Sequence, residues 1–174
     1  MSKVFVISDT HFGHEAMLGF KRTDGSPVRD FPRLDDMHQH MVVQWNTTVG
    51  KDDLVLHLGD VAFSGQAYDT IMPLLNGKKY LIRGNHDRFS EGRYRKHFNR
   101  VLGCYVRDRY VFTHVPIHPD SLARWELNIH GHLHTNKIED DRYFCACVEQ
   151  IGYTPIDFEV IKRINQSQPK NKNI

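Results

Sequence analysis

Five strand-like runs in this chain each stop at a polar block, and the blocks share one vocabulary of Asp, Asn, His and Gly. Asp9 and His11 follow Lys3–Ser8, Gly59-Asp60 follows Leu54–Leu58, and Gly84-Asn85-His86-Asp87 follows Lys79–Ile82. His114 closes Tyr110–Thr113, and Gly131-His132-Leu133-His134 closes Leu127–His130. Short runs rich in β-branched and aromatic residues read as strands covered on both faces. Between the first three lie helical stripes. One is Leu34, Met37, Met41 and Trp45, with Gly50 as its stop; the other is Tyr68, Ile71, Met72 and Leu75 behind a Ser64 cap, with Pro73 disturbing its last turn. This β-α-β-α-β order favours parallel strands joined by right-handed crossovers. Open α/β sheets collect ligands beyond the carboxyl ends of their strands, so the five blocks can meet at one site.

Ser90 is placed to cap a short basic helix ending near Phe98. Beyond it strands dominate, over Val101–Val106, Tyr110–Thr113, Leu127–His130 and Tyr143–Val148, in what reads as hairpin-like order. Pro155–Ile164 reads as a last helix, and the polar composition of Asn165–Ile174 predicts a disordered tail. With 174 residues the chain suits one core, hence a single domain over 1–164. A formal net charge of +2 gives no reason from charge alone to invoke a nucleic acid or a membrane. The opening apolar run is too short for a secretion signal or a membrane span. Three cysteines without a framework pattern argue against a disulfide scaffold, and Cys145 and Cys147, alternating along one strand, read as buried thiols. The expected compartment is the reducing cytoplasm. Oligomeric state is not legible.

Histidine is the compositional outlier, with twelve residues, several of them inside the polar blocks. Asp9 and His11, two residues apart in extended backbone, would face the same way and grip one cation. Asp60 can bridge two ions through its two oxygens, and Asn85, His114, His132 and His134 add an amide oxygen and three imidazoles. Seven mixed N/O ligands are too many for one ion and suit Mn, Fe, Zn, Ni or Co better than Ca. Two divalent ions, Mn²⁺ foremost, would accommodate them, polarise a phosphoryl oxygen and acidify a shared water into a hydroxide nucleophile. The leaving alkoxide needs a proton, and His86, beside Asn85, is the candidate general acid because imidazole titrates near neutrality.

The ordered set Asp9-x-His11, Gly59-Asp60, Gly84-Asn85-His86-Asp87, His114 and Gly131-His132-x-His134 resembles the calcineurin-like metallophosphoesterase superfamily over roughly residues 3 to 150. The resemblance implies an α/β fold: a double β-sheet sandwich flanked by helices in four layers, with a dinuclear site at one edge. It assigns Asp9, His11, Asp60 and His134 to one metal and Asp60, Asn85, His114 and His132 to the other, with His86 as the catalytic histidine. The opening Asp9–His14, reading Asp-Thr-His-Phe-Gly-His, is similar to short bacterial and phage members. Thr113 stands where the family often has glycine, and His86-Asp87 is closer to phosphodiesterase-like branches than to protein phosphatases.

The expected reaction is hydrolysis of a phosphodiester or phosphomonoester of a small molecule or nucleotide, in an open site that lacks a cap domain. A nuclease acting on DNA or RNA is the alternative, and a non-catalytic scaffold the poorest reading, because every ligand position and His86 are filled. The basic stretch of Arg83, Arg88, Arg93, Arg95, Lys96, Arg100, Arg107 and Arg109 reads as a solvated face. His57 reads as a core histidine, His130 as a neighbour of the metal ligands and Asp87 as an orienting group. His14, His118 and Arg83 are candidates to face the phosphate, whereas His38, His40 and His97 look like helix-surface residues.

Overall fold

A computed structural model describes residues 2–167. Two mixed sheets lie between flanking helices. The first has the order β4-β3-β2-β1-β9, built from Val4–Ile7 (β1), Leu54–His57 (β2), Lys78–Ile82 (β3), Arg100–Leu102 (β4) and Ile156–Asp157 (β9). β1 to β4 are parallel, and β9 pairs antiparallel with β1. Parallel neighbours need crossover connections. Leu34–Thr48 (α1) and Gly65–Ile71 (α2) supply two of them, and the four-residue helix Glu91–Tyr94 (α3) lies in the third. Ser64 caps α2 by accepting from Ala67 N, and Pro73 lies in a 3-10 turn over Met72–Leu74 that replaces the last α-turn.

Strand alternation decides what each face buries. Phe5, Ile7, Val55 and Leu81 face Met37, Met41 and Trp45 of α1 and Tyr68 and Ile71 of α2. Val6, Leu56 and Ile82 point the other way, into a second core shared with Tyr110, Phe112, Leu127 and Ile129. Those last residues belong to the second sheet, β5-β6-β7-β8, formed by Tyr105–Arg107, Tyr110–Phe112, Leu127–His130 and Tyr143–Cys145. The helix Phe158–Ser167 (α4) adds Phe158 and Ile161 to the same core.

The second half departs from its expected organisation. Val101–Val106 is two strands, β4 and β5, in different sheets, because the chain turns at Gly103-Cys104. Only β5 and β6 form an antiparallel hairpin; β6 pairs parallel with β7, and β7 parallel with β8. The last helix starts later than expected, after β9, and runs to Ser167. It therefore takes in Asn165–Ser167 of the expected tail, with Asn165 buried against Tyr110, and the rest of that tail lies outside the described residues. β8 ends at Cys145, and Cys147 instead bridges Ser8 just past β1. That bridge, with Val148 N donating to Ser8 O at 3.1 Å, ties the sheets together where their parallel strands end. Among the described residues no helix is long and apolar enough to cross a membrane.

Candidate metal centre

The loops after β1, β2, β3, β6 and β7 meet at this tied end. Asp9, His11, Asp60, His132 and His134 all take left-handed backbone, with φ of 59°, 49°, 55°, 71° and 51°. Among the described residues they are five of eight such non-glycine residues, so the strain is concentrated at one place. Each costs on the order of 1–3 kcal/mol, and such residues persist where the surroundings over-determine them. The expected extended Asp9-Thr10-His11 is therefore replaced by a coiled loop that turns both side chains inward. Parallel hydrogen bonds hold it: Asp9 N donates to Gly59 O and His11 N to Asp60 O, each at 3.0 Å. Close approach leaves no room for side chains on two glycines. A Cβ on Gly84 would run into Asp60, and one on Gly131 would run into Ser8 and Asp9.

All seven candidate ligand residues arrive together. Asp9 divides its oxygens: Oδ2 accepts from His132 N at 2.9 Å and from the Cys147 thiol at 3.2 Å, while Oδ1 is buried with no hydrogen-bond partner among the described residues. His11 Nε2 and His134 Nε2 lie 3.7 and 3.8 Å from that Oδ1. Asp60 divides likewise. Its Oδ1 accepts from His86 N at 2.8 Å, and its Oδ2 lies 3.6 Å from His11 Nε2 and 3.4 Å from His114 Nε2. Asn85 Oδ1 stands 2.9 Å from His114 Nε2 and 3.0 Å from His132 Nδ1. Two groups able to hold an ion follow: Asp9, His11 and His134, and Asp9, Asp60 and His114.

Neighbours set the imidazole tautomers. His114 Nδ1–H donates to Leu58 O at 2.8 Å, and His134 Nδ1–H donates to Glu149 Oε1 at 3.0 Å. In a neutral ring Nε2 is then a lone pair, and both Nε2 atoms face oxygens. Only a proton or a cation between them reconciles that arrangement. Buried, partnerless Asp9 Oδ1 and both nitrogens of His11 add to the same demand. The donor set thus fits divalent metal ions.

The charges fit as well. Burial pushes Asp9 up, but the His11 imidazole and the charges of His114 and His134 outweigh it and hold the carboxyl well below the usual range. Burial also opposes Asp60, which is lowered overall by His114 and the His86 N–H. Burial would lower His114 and His134; Asp60 raises the first and Glu149 the second, and both end above the ordinary imidazole value. His132, lowered by burial and then by His114, goes the other way.

Two residues of the support escaped sequence reasoning. Arg29, 1% exposed, donates to the carbonyls of Asp9 and Thr10, the latter at 2.9 Å, and pairs with Glu149 at 2.7 Å. Glu149 in turn orients His134. The two lie 120 residues apart in sequence, and the one available signal was an arginine in a polar stretch, which is ordinary. Asp87 is a staple, accepting from Gly84 N at 2.8 Å, Asp60 N at 2.9 Å, Val61 N at 3.0 Å and the Tyr94 hydroxyl at 3.2 Å.

The remaining candidates separate. His86 stands with its ring centroid 5.6 Å from that of His11 and its Nδ1 buried with no hydrogen-bond partner among the described residues. His57 is a core residue and His130 bonds its neighbour Gly131 O at 2.8 Å. His38 is not a free surface residue, since its Nε2 accepts from Gly13 N at 2.9 Å. Arg83 is drawn to the Asp87 carbonyl, and His118 caps a 3-10 turn far out in solvent. Much of the basic stretch is paired: Arg93 with Asp69, Arg95 with Glu91, Arg107 with Asp108 and Arg109 with Glu126. The three cysteines are free thiols.

The calcineurin-like phosphoesterase family model matches residues 2–171, nearly the entire chain. The chain belongs to that family. A calcineurin-like phosphoesterase is by kind a metal-dependent hydrolase of phosphate esters, and membership implies divalent metal ions. An uncharacterized protein of Methanocaldococcus jannaschii, MJ1445, is 29% identical over 174 residues, covering 94% of this chain and 92% of its own. The gene 66 protein of mycobacterium phage D29 is 39% identical over 92 residues, which is 51% of this chain and 42% of the phage protein. The crystal structure of AQ665 from Aquifex aeolicus, a protein of unknown function, matches with a TM-score of 0.74 at 24% identity, covering 94% of this phosphoesterase and 100% of that chain. That likeness concerns the fold.

Proposed function

We propose that this phosphoesterase uses two divalent ions, Mn²⁺ foremost, to hydrolyse a phosphodiester or phosphomonoester of a small molecule or nucleotide. The supporting observation is Asp60 Oδ2, which lies 3.6 Å from His11 Nε2 and 3.4 Å from His114 Nε2 and so can serve both halves of the ligand set. Asp9, His11, Asp60 and His134 would hold one ion, and Asp60, Asn85, His114 and His132 the other. Bound there, the ions polarise phosphoryl oxygens and lower the pKa of water, which supplies the nucleophile.

The protein's own groups do the rest. Leu58 O and Glu149 keep the Nε2 faces of His114 and His134 turned inward, and Asp87 fixes the loops carrying Asp60 and Asn85. The Asp60 to His86 backbone bond sets the height of the His86 ring at the rim, where it can give a proton to the leaving oxygen. The floor is buried, whereas Asn85 is exposed and His86, His132 and His134 are partly so. Among the described residues nothing covers this rim, so an ester can reach it from solvent.

The experiment compares metal-free and Mn²⁺-loaded protein on p-nitrophenyl phosphate and bis(p-nitrophenyl) phosphate. Metal-dependent release of p-nitrophenol is expected from at least one ester. His86→Ala should lower kcat about 10²- to 10⁴-fold with metal content intact. No hydrolysis of either ester with Mn²⁺, Co²⁺, Ni²⁺ or Zn²⁺ would end this reading.

A further inference from the structure

Beside the ligand set, the rim carries an aromatic group that the hydrolysis itself does not use. The His14 and Phe63 rings lie face to face, with centroids 3.8 Å apart and planes 8° from parallel. Phe20 meets His14 edge-on at 6.0 Å and 85°. The group borders the ligands directly: Phe63 is 5.3 Å from His86 and 6.2 Å from His11, and His14 is 5.6 Å from His11. Yet Phe63 and Phe20 remain 47% and 48% exposed. Single exposed apolar residues are ordinary, but a contiguous aromatic pair joined through a stacked imidazole is a ready-made surface.

The backbone holds this surface in place. Phe63 N donates to Phe12 O at 2.8 Å, and His14 N to His11 O at 3.0 Å. Next to His14 in the chain, Gly13, at φ 81°, donates to His38 Nε2 and presses so closely on α2 that a Cβ there would meet Ser64 Oγ at 2.5 Å. The loop and the start of α2 are thus locked together, and a ligand would stack on the rings without first ordering them.

We propose that His14 and Phe63, flanked by Phe20, form a stacking platform for the nucleobase of a nucleotide ester whose phosphate lies at the metal ligands. The proposal rests on the phosphoesterase reading above and narrows its substrate class. Every base has a π-face, so the platform adds affinity for nucleotides with little discrimination among bases.

The test titrates Mn²⁺-loaded protein calorimetrically with the phosphonate analogues of AMP and of ribose 5-phosphate, in which carbon replaces the ester oxygen and blocks hydrolysis. Wild type should bind the AMP analogue about ten-fold more tightly than the ribose analogue, the usual worth of one base–aromatic stack. Phe63→Ala should bring that ratio close to one, and Phe63→Trp should restore it. Equal binding of the two analogues by wild type, or a ratio that survives Phe63→Ala, would overturn the platform while leaving the phosphoesterase reading standing. Failure of the metal-loaded wild type to bind both analogues and inorganic phosphate would overturn both.

Discussion

His57 sits at the end of β2, fully buried, and its two ring nitrogens are satisfied only in the neutral form. The Thr10 hydroxyl donates to Val61 O at 2.8 Å, so at 3.0 Å from His57 Nε2 it must accept that ring's proton. His57 Nδ1 then accepts from Gly59 N at 3.2 Å. A second proton on Nδ1 would face an N–H, and burial, outweighing the pull of Asp9 and Asp60, pushes the group down to about 3. The unfolded chain takes up that proton near pH 6.5. Between those values the unfolded state binds more protons, so stability is lost as pH falls through the window. Linkage at about 1.4 kcal/mol per pH unit gives a loss of about 2 kcal/mol between pH 7 and pH 5, a figure that barely changes while the folded value stays below 4. The assay is urea unfolding of metal-free protein at both pH values, for wild type and His57→Gln. The variant keeps a donor for Thr10 and cannot titrate. It should be less stable at pH 7 but lose about 2 kcal/mol less than wild type on acidification. Other buried histidines contribute equally to both proteins and drop out of the difference. Equal losses in the two would refute the reasoning.

Three further outcomes follow from the support of the centre. Glu149→Gln keeps the shape but weakens the grip on His134 Nδ1, so metal affinity, measured by titration with Mn²⁺, should fall about 10- to 100-fold. Arg29→Met leaves the buried Glu149 carboxylate without its guanidinium partner, with only His134 beside it, and should cost about 3–5 kcal/mol in urea unfolding of the metal-free protein, whereas a loss under about 1 kcal/mol would show that the pair is not needed. Gly84→Ala drives a methyl group into Asp60; a bound-metal count near wild type would show that the loops have slack.

The order of elements and the meeting of the polar blocks were legible because both are local signals. Each block sits where an apolar run stops, and parallel strands bring their ends to one edge whatever the loops do. The Ser64 cap and the stop of α1 before Gly50 were legible for the same reason. Backbone conformation inside the blocks was not: Asp and His visit positive φ more often than most non-glycine residues, but such cases are still uncommon, so identity alone does not fix it at Asp9 and His11. Nor was strand direction beyond β4, where pairing is decided by partners distant in sequence. The break at Gly103 did leave a mark, a glycine inside an apparent strand. Arg29 and Glu149 left nothing distinctive, since their roles depend on each other and on loop carbonyls and an imidazole that only the fold brings to them.

Arg29 belongs to a stretch between the first loop and α1 with little regular structure, and such excursions usually breathe independently of the body they decorate. Here the guanidinium grips the carbonyls of Asp9 and Thr10 and the Glu149 carboxylate at once. The excursion therefore cannot swing away without releasing the loop that carries Asp9 and His11. Fraying there and disassembly of the catalytic edge are one cooperative event, so a protease that nicks this stretch reports on whether the centre is assembled.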